Sequence, residues 1–203
     1  NSENPQANPS KRAFQPVWFD YDDDGLIDLF VSTDVGISPL YKNNGDGTFK
    51  DVTKEVGLCI KGTNMGVAVG DYDNDLDFDF YTTNVGKNYF WQNNGNKTFA
   101  LLTGGDETSD IKSIGWGDGF FDYDNDGHLD LYITNGAVRK LDTDHISQNM
   151  GIVSRDKLYH NLGNKKFKEV SRQEGITGND RKVTAAFGDY NNDGYTDIFV
   201  VPV

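Results

Sequence analysis

The chain has 203 residues, 36% of them hydrophobic and 13% aromatic, enough to build a core for one domain and not the composition of a disordered chain. Nineteen Lys and Arg against 32 Asp and Glu give a net charge of −13, which argues against nucleic acid and anionic membranes as partners and points to cations. Apolar runs are too short to insert in a bilayer, and the single cysteine, Cys59, leaves no intrachain disulfide or thiolate cage and is expected to be a buried, inert thiol.

Residues 1–12 are polar and read as an N-terminal tail without a charged-then-apolar leader, so any export signal is expected to have been removed or to lie elsewhere. From residue 13 the chain repeats itself. An acidic motif recurs as DYDDDGLID from Asp20, DYDNDLDFD from Asp71, DYDNDGHLD from Asp122 and DYNNDGYTD from Asp189, at spacings of 51, 51 and 67 residues. LYKNNGDGTFKDV, YFWQNNGNKTFAL and LYHNLGNKKFKEV follow the first three copies, and their Asn-Gly or Gly-Asn turns between apolar ends signal hairpins.

Each unit therefore reads as strand, acidic loop, strand, connection and hairpin, with the second predicting strands at 64–70, 79–84, 88–93 and 98–102. Small residues at alternate positions of the first strand, such as Gly66, Ala68 and Gly70 or Thr184, Ala186 and Gly188, allow close approach to a crowded axis. The expectation is an all-β fold, a β-propeller of four-stranded antiparallel blades, with three full blades and half of a fourth at about 13–57, 63–104, 112–172 and 182–203. The last blade stops at TDIFVVPV, Thr196 to Val203, an edge that Pro202 blunts only in part. The chain is expected to be part of a larger propeller, or to need a homo-oligomer or further repeats to cover its open edges.

Crowded carboxylates repel one another, so each acidic loop is either a solvated turn or the holder of a cation. Acids fall at positions one, three, five and nine with Gly at six. Alternate positions of a tight loop turn inward, Gly permits positive φ, and position seven can offer its carbonyl, much as in the first half of an EF-hand loop. Favourable turn chemistry does not require the acid at nine, and the pattern recurs four times. Hard oxygen ligands in this number suit Ca²⁺ better than zinc or Mg²⁺. The candidate ligands for up to four Ca²⁺ are Asp20, Asp22, Asp24 and Asp28; Asp71, Asp73, Asp75 and Asp79; Asp122, Asp124, Asp126 and Asp130; and Asp189, Asn191, Asp193 and Asp197. Copies one and three are complete. Asn191 lowers the charge of copy four, and Leu76 replaces the Gly of copy two, where a strained or differently shaped turn is expected.

The segments GDYDND at 70–75, FDYDNDGHLDLYITN at 121–135 and GDYNNDGYTDIFV at 188–200 resemble the FG-GAP/VCBS repeat family, which includes the β-propellers of integrin α subunits and cartilage acidic protein-like secreted proteins. The resemblance spans residues 13–203. It implies that the acidic loop joins the first two strands of a blade, that the ions are structural and lie on one face, and that Leu26, Asp77, His128 and Tyr195 add main-chain carbonyls. Ser32-Thr33-Asp34, Thr82-Thr83-Asn84 and Thr134-Asn135 stand where integrins carry a Gly-Ala-Pro triplet, so the VCBS-like branch is the better match.

The longer third spacing reflects an insertion of 16 residues within Asn135–Lys157, where Arg139, Lys140, Arg155 and Lys157 gather. The resemblance places it opposite the calcium loops, as a site for a protein or glycan ligand or as a solvated decoration. Trp18, Trp91 and Trp116 are expected in the core between blades rather than as sugar platforms. His128, His145 and His160 stand in unrelated contexts and assemble no triad or zinc set. Three functions fit: a calcium-stabilised module for adhesion or protein binding, which is favoured and non-enzymatic; a carbohydrate-binding, lectin-like propeller; and a polysaccharide lyase fragment. Loops of this charge fill at extracellular Ca²⁺ levels, so a secreted protein is expected, periplasmic or on the cell surface if bacterial.

Overall fold

A computed structural model describes residues 12–102, 108, 114–136, 155–178 and 182–202. Three four-stranded antiparallel sheets follow one another along the chain. Unit one contains β1 (Ala13–Phe19), β2 (Asp28–Thr33), β4 (Leu40–Asn43) and β5 (Phe49–Asp51). Unit two contains β7 (Asn64–Gly70), β8 (Asp79–Asn84), β9 (Tyr89–Asn93) and β10 (Phe99–Leu101), within a residue of the expected strands. Unit three contains β11 (Gly115–Phe121), β12 (Asp130–Asn135), β13 (Lys157–Asn161) and β14 (Phe167–Glu169), and unit four pairs β15 (Lys182–Gly188) with β16 (Asp197–Pro202). No helix among the described residues is long and apolar enough to cross a membrane. The expected tail, residues 1–12, lies outside the described residues apart from Arg12, and so does most of the insertion, 137–154, with Arg139, Lys140 and His145.

The first strands β1, β7, β11 and β15 are neighbours in that order. Their approach is close enough to dictate residue type: a Cβ on Gly66 would stand 2.2 Å from the Trp116 carbonyl oxygen. Hydroxyls of the second strands tie unit one to unit two and unit two to unit three, Ser32 Oγ donating to the Met65 carbonyl at 2.6 Å and Thr83 Oγ1 to that of Trp116 at 2.8 Å. Phe14 of unit one meets Trp116 of unit three edge-on, with ring centroids 6.4 Å apart, so units one and three touch as well as neighbouring units. A short ladder of β3 (Gly36–Ile37) with β6 (Lys61–Gly62) adds a link that the sequence does not signal.

Three apolar clusters fill the spaces between successive units. Trp91 is buried there, as expected. Trp18 is not: it is 58% exposed on the outer face of unit one, where no other sheet covers it among the described residues. Cys59 also departs from expectation. It is exposed, because its neighbour Leu58 turns into the core and leaves the thiol on the outside.

Candidate metal centres

Each acidic loop joins the first and second strands of its unit, and its hydrogen bonds repeat four times. The first aspartate accepts the N–H groups of positions five and six: Asp71 from Asp75 at 3.0 Å and from Leu76 at 2.9 Å, Asp122 from Asp126 at 3.1 Å and from Gly127 at 2.9 Å. Asp20 and Asp189 do the same. The position-five acid accepts the N–H of position seven, so Leu26, Asp77, His128 and Tyr195 are held by Asp24, Asp75, Asp126 and Asp193 at 2.8 to 3.1 Å. Closing the turn takes two left-handed residues. Asp23, Asn74, Asn125 and Asn192 at position four have φ of 58 to 61°, and position six has φ of 83° at Gly25, 87° at Gly127 and 89° at Gly194. Leu76 has φ 76°. The turn of copy two is therefore not reshaped: the surrounding hydrogen bonds force a leucine into glycine's conformation.

The position-nine acid is the buried anchor. Asp79 accepts from the Tyr72 N–H at 3.3 Å and from the Asn93 N–H of β9 at 2.8 Å, and Asp28 and Asp130 repeat the arrangement with Asn43 and Asn161. Burial pushes the Asp79 carboxyl up to about 8 against the two N–H donors, with the charges of Asp73 and Asp75 acting in the same upward direction. Burial likewise raises Asp28 and Asp130. Such carboxyls take up protons unless another cation neutralises them.

The four copies gather their acids differently. In copy two Asp71, Asp73, Asp75 and Asp79 all present oxygens within 4.8 Å of one another. Copy one brings together Asp20, Asp22 and Asp28, while copy three forms two overlapping groups, Asp122, Asp124 and Asp126, and Asp124, Asp130 and His160. Asp189, Asp193 and Asp197 of copy four form no such group among the described residues. There Asn191 is engaged locally, its amide donating to Asp193 Oδ2 at 2.9 Å and its oxygen accepting the Asp193 N–H at 3.0 Å. His128 faces the neighbouring loop, its Nδ1 3.2 Å from Asn74 Nδ2.

Sequence reasoning missed the third strand's contribution. The residue before Asn43, Asn93 and Asn161 faces its own loop: Lys42 bonds Asp22 and Asp24, Gln92 Nε2 donates to Asp73 at 2.8 Å, and His160 Nδ1 lies 3.1 Å from Asp130. The hairpin turn of the following unit adds a lysine to copies one and two. Lys97 Nζ lies 3.2 Å from Asp22, and Lys165 Nζ lies 2.7 Å from Asp73. Burial alone would lower the Lys42 pKa, but its bonds to Asp22 and Asp24 outweigh that and raise it. The recurring Asn after each of these positions was the available signal, since it fixes which strand-three side chain points into the loop.

Asp22 Oδ1 and Asp73 Oδ1 are buried without a hydrogen-bond partner, on side chains only 2% exposed. Oxygens at position three that lack a donor fit a cation better than a solvated turn, whose carboxylates face water. The residues of copies one and two thus fit a hard divalent ion. The side-chain ligands brought together are four carboxylates in copy two, whereas in copy three an imidazole stands beside Asp124 and Asp130.

No curated protein matches this chain. A solved structure, described as the structural basis of specific recognition of non-reducing terminal N-acetylglucosamine by a lectin from Agrocybe aegerita, is similar to it at 20% identity and a TM-score of 0.47. The match covers 90% of this chain and 45% of the lectin, so this chain spans less than half of that structure's length. A family model described as an FG-GAP-like repeat matches residues 20–82 and 122–200, taking in all four acidic loops. On that match, over most of its length, the chain belongs to the FG-GAP-like repeat family.

Proposed function

We propose that the chain is part of an extracellular, calcium-binding β-propeller whose four-stranded sheets are blades, whose acidic loops hold structural Ca²⁺, and whose role is protein–protein or adhesive contact rather than catalysis. The observation that carries this reading is the copy-two loop: four carboxylates converge within 4.8 Å, and one of them, Asp73, keeps a buried oxygen with no donor. The side-by-side packing of successive first strands, with Phe14 of unit one reaching Trp116 of unit three, supports the propeller. Ca²⁺ would bind through Asp71, Asp73, Asp75 and Asp79 in copy two and through the matching residues of the other copies, clamping each loop against the third strand of its blade. An ion that binds only the assembled loop stabilises the fold by mass action. Extracellular placement follows from the metal, because Ca²⁺ outside cells is abundant enough to fill loops of modest affinity.

Isothermal titration of EGTA-stripped protein with CaCl₂ tests this. Saturable binding of at least two ions per chain, lost at copy two in Asp73→Asn, is the expected result. Absence of heat and of competition with a fluorescent chelator would reject it.

A further inference from the structure

The side chain that enters each loop from the third strand differs in kind. Lys42 brings an ammonium to Asp22 and Asp24, and Gln92 turns an amide N–H toward Asp73. Neither nitrogen has a lone pair to give a metal. His160 has one. Its Nδ1 lies 3.1 Å from Asp130 Oδ1 and 3.7 Å from Asp124 Oδ2, and the three side chains present ligand atoms within 4.8 Å of one another. Two atoms that are each about 2.0–2.1 Å from a metal stand roughly 3.4 Å apart at a tetrahedral angle, and the two distances at His160 fall on either side of that spacing.

A histidine that only tethered the loop would need a single acceptor. Here the nitrogen faces two carboxylates from different parts of the loop. Asp130 is wholly buried and fixed by two N–H groups, Oδ1 accepting from Asn161 at 2.7 Å and Oδ2 from Tyr123 at 2.9 Å, while the Asp124 side chain is partly open to solvent. Tyr123 orients both groups at once, since its N–H holds Asp130 and its ring stands edge-on to the His160 imidazole with centroids 5.6 Å apart. Imidazole nitrogen is a poor partner for Ca²⁺, which takes oxygen, and a good one for Zn²⁺. Copy three therefore does not fit the hard ion that copies one and two fit. It also divides its acids: Asp122, Asp124 and Asp126 form a second group that shares Asp124 with the first, so an ion on one group competes for Asp124 with an ion on the other.

We infer that Asp124, Asp130 and His160 form a site for a borderline divalent ion of the Zn²⁺ class, ligated by His160 Nδ1, Asp124 Oδ2 and Asp130 Oδ1, with water completing the coordination. Ligation at Nδ1 puts the ring proton on Nε2. The site narrows the calcium reading at copy three, where Zn²⁺ takes precedence, and leaves it as it stands at copies one and two. It does not depend on Ca²⁺ binding anywhere in the chain.

Titration of the metal-stripped full chain with ZnCl₂, by calorimetry and in competition with a chromogenic chelator, tests it. Saturable binding of a single Zn²⁺ per chain is expected, and His160→Gln, which gives copy three the amide of copy two, is expected to weaken it by about tenfold or more. His145→Gln should leave it unchanged. CoCl₂ should give visible ligand-field bands that ZnCl₂ abolishes and that His160→Gln lacks. A variant that circular dichroism shows to be unfolded is replaced by long-range ¹H–¹⁵N spectra of the wild-type histidine rings, one of which should shift when ZnCl₂ is added. Absence of zinc binding, zinc affinity indifferent to His160, which would place the ion on exposed carboxylates alone, or histidine rings that ZnCl₂ leaves unmoved would each overturn the inference. CaCl₂ titrations of the same samples separate the two readings: zinc binding that needs His160, without calcium binding, rejects the calcium proposal alone, and calcium binding with zinc affinity indifferent to His160 rejects this one alone.

Discussion

Gln92 donates to Asp73 from the strand position that Lys42 occupies opposite Asp22 in unit one. Each of these loops also receives a lysine from the following hairpin, Lys97 or Lys165, so it is the strand-three residue that gives copy one a second ammonium where copy two has an amide. A resident ammonium competes with a metal ion for the same oxygens. Lys42→Gln is therefore expected to tighten Ca²⁺ binding at copy one about tenfold, the equivalent of ~1.4 kcal/mol, and Gln92→Lys to weaken copy two. Calorimetric titration of each variant reads this directly, and unchanged affinity in both would show that the strand-three residue has no influence.

Leu76 sits at φ 76° with its side chain 89% exposed, so it carries backbone strain without compensating burial. Leu76→Gly removes strain of about 1–2 kcal/mol, offset in part by the greater freedom glycine gives the unfolded chain. A net gain of about 0.5–1 kcal/mol is expected, measured by urea unfolding. Destabilisation would mean that the leucine side chain makes a contact worth more than its backbone costs.

The raised carboxyls give metal-free protein a defined pH response. Asp79 titrates near 8 when folded and near ~3.9 in an unfolded chain. Between those values the folded state holds a proton that the unfolded state has released, so this group's effect on stability worsens as pH rises from about 4 to about 8. Buried Asp118 on β11, raised well above the ordinary range by desolvation, acts in the same direction. Urea midpoints in EGTA should fall across that window, and Ca²⁺ should flatten the fall by replacing the proton on Asp79. Calcium titrations in buffers of different ionisation enthalpy should show proton release; none would contradict the assignment.

Two glycines with different surroundings test what selects glycine on the first strands. Gly66→Ala drives a methyl into the Trp116 carbonyl and is expected to cost about 3 kcal/mol. Gly188→Ala meets empty space and is expected to change stability by less than about 1 kcal/mol. Equal costs at both positions would mean that the closeness of the first strands is not what selects glycine.

The repeat, the strand order and the acidic loops were legible because they are local: the four acids of each copy lie within nine residues, and the hairpin turns announce themselves through Asn and Gly. What was hidden is what the fold brings in from a distance. Lys42 lies 18 residues beyond Asp24 and Lys97 lies 75 beyond Asp22, and the strand-three position carries Lys, Gln and His in turn, so no shared residue type marks it. Trp18 was assigned to the core on its aromatic character, but burial depends on a neighbouring sheet, and no sequence pattern in unit one reports whether one is there. Leu76 warned of a strained turn, and the hydrogen bonds of Asp71 explain why the turn kept its shape regardless.

The most direct test of the central claim is a pair of thermal unfolding curves followed by circular dichroism, one in EGTA and one in millimolar CaCl₂. Loops that bind Ca²⁺ only when folded should raise the midpoint by about 5 °C or more, and Asp73→Asn should reduce that gain. Superimposed curves would contradict calcium as a structural component of this fold.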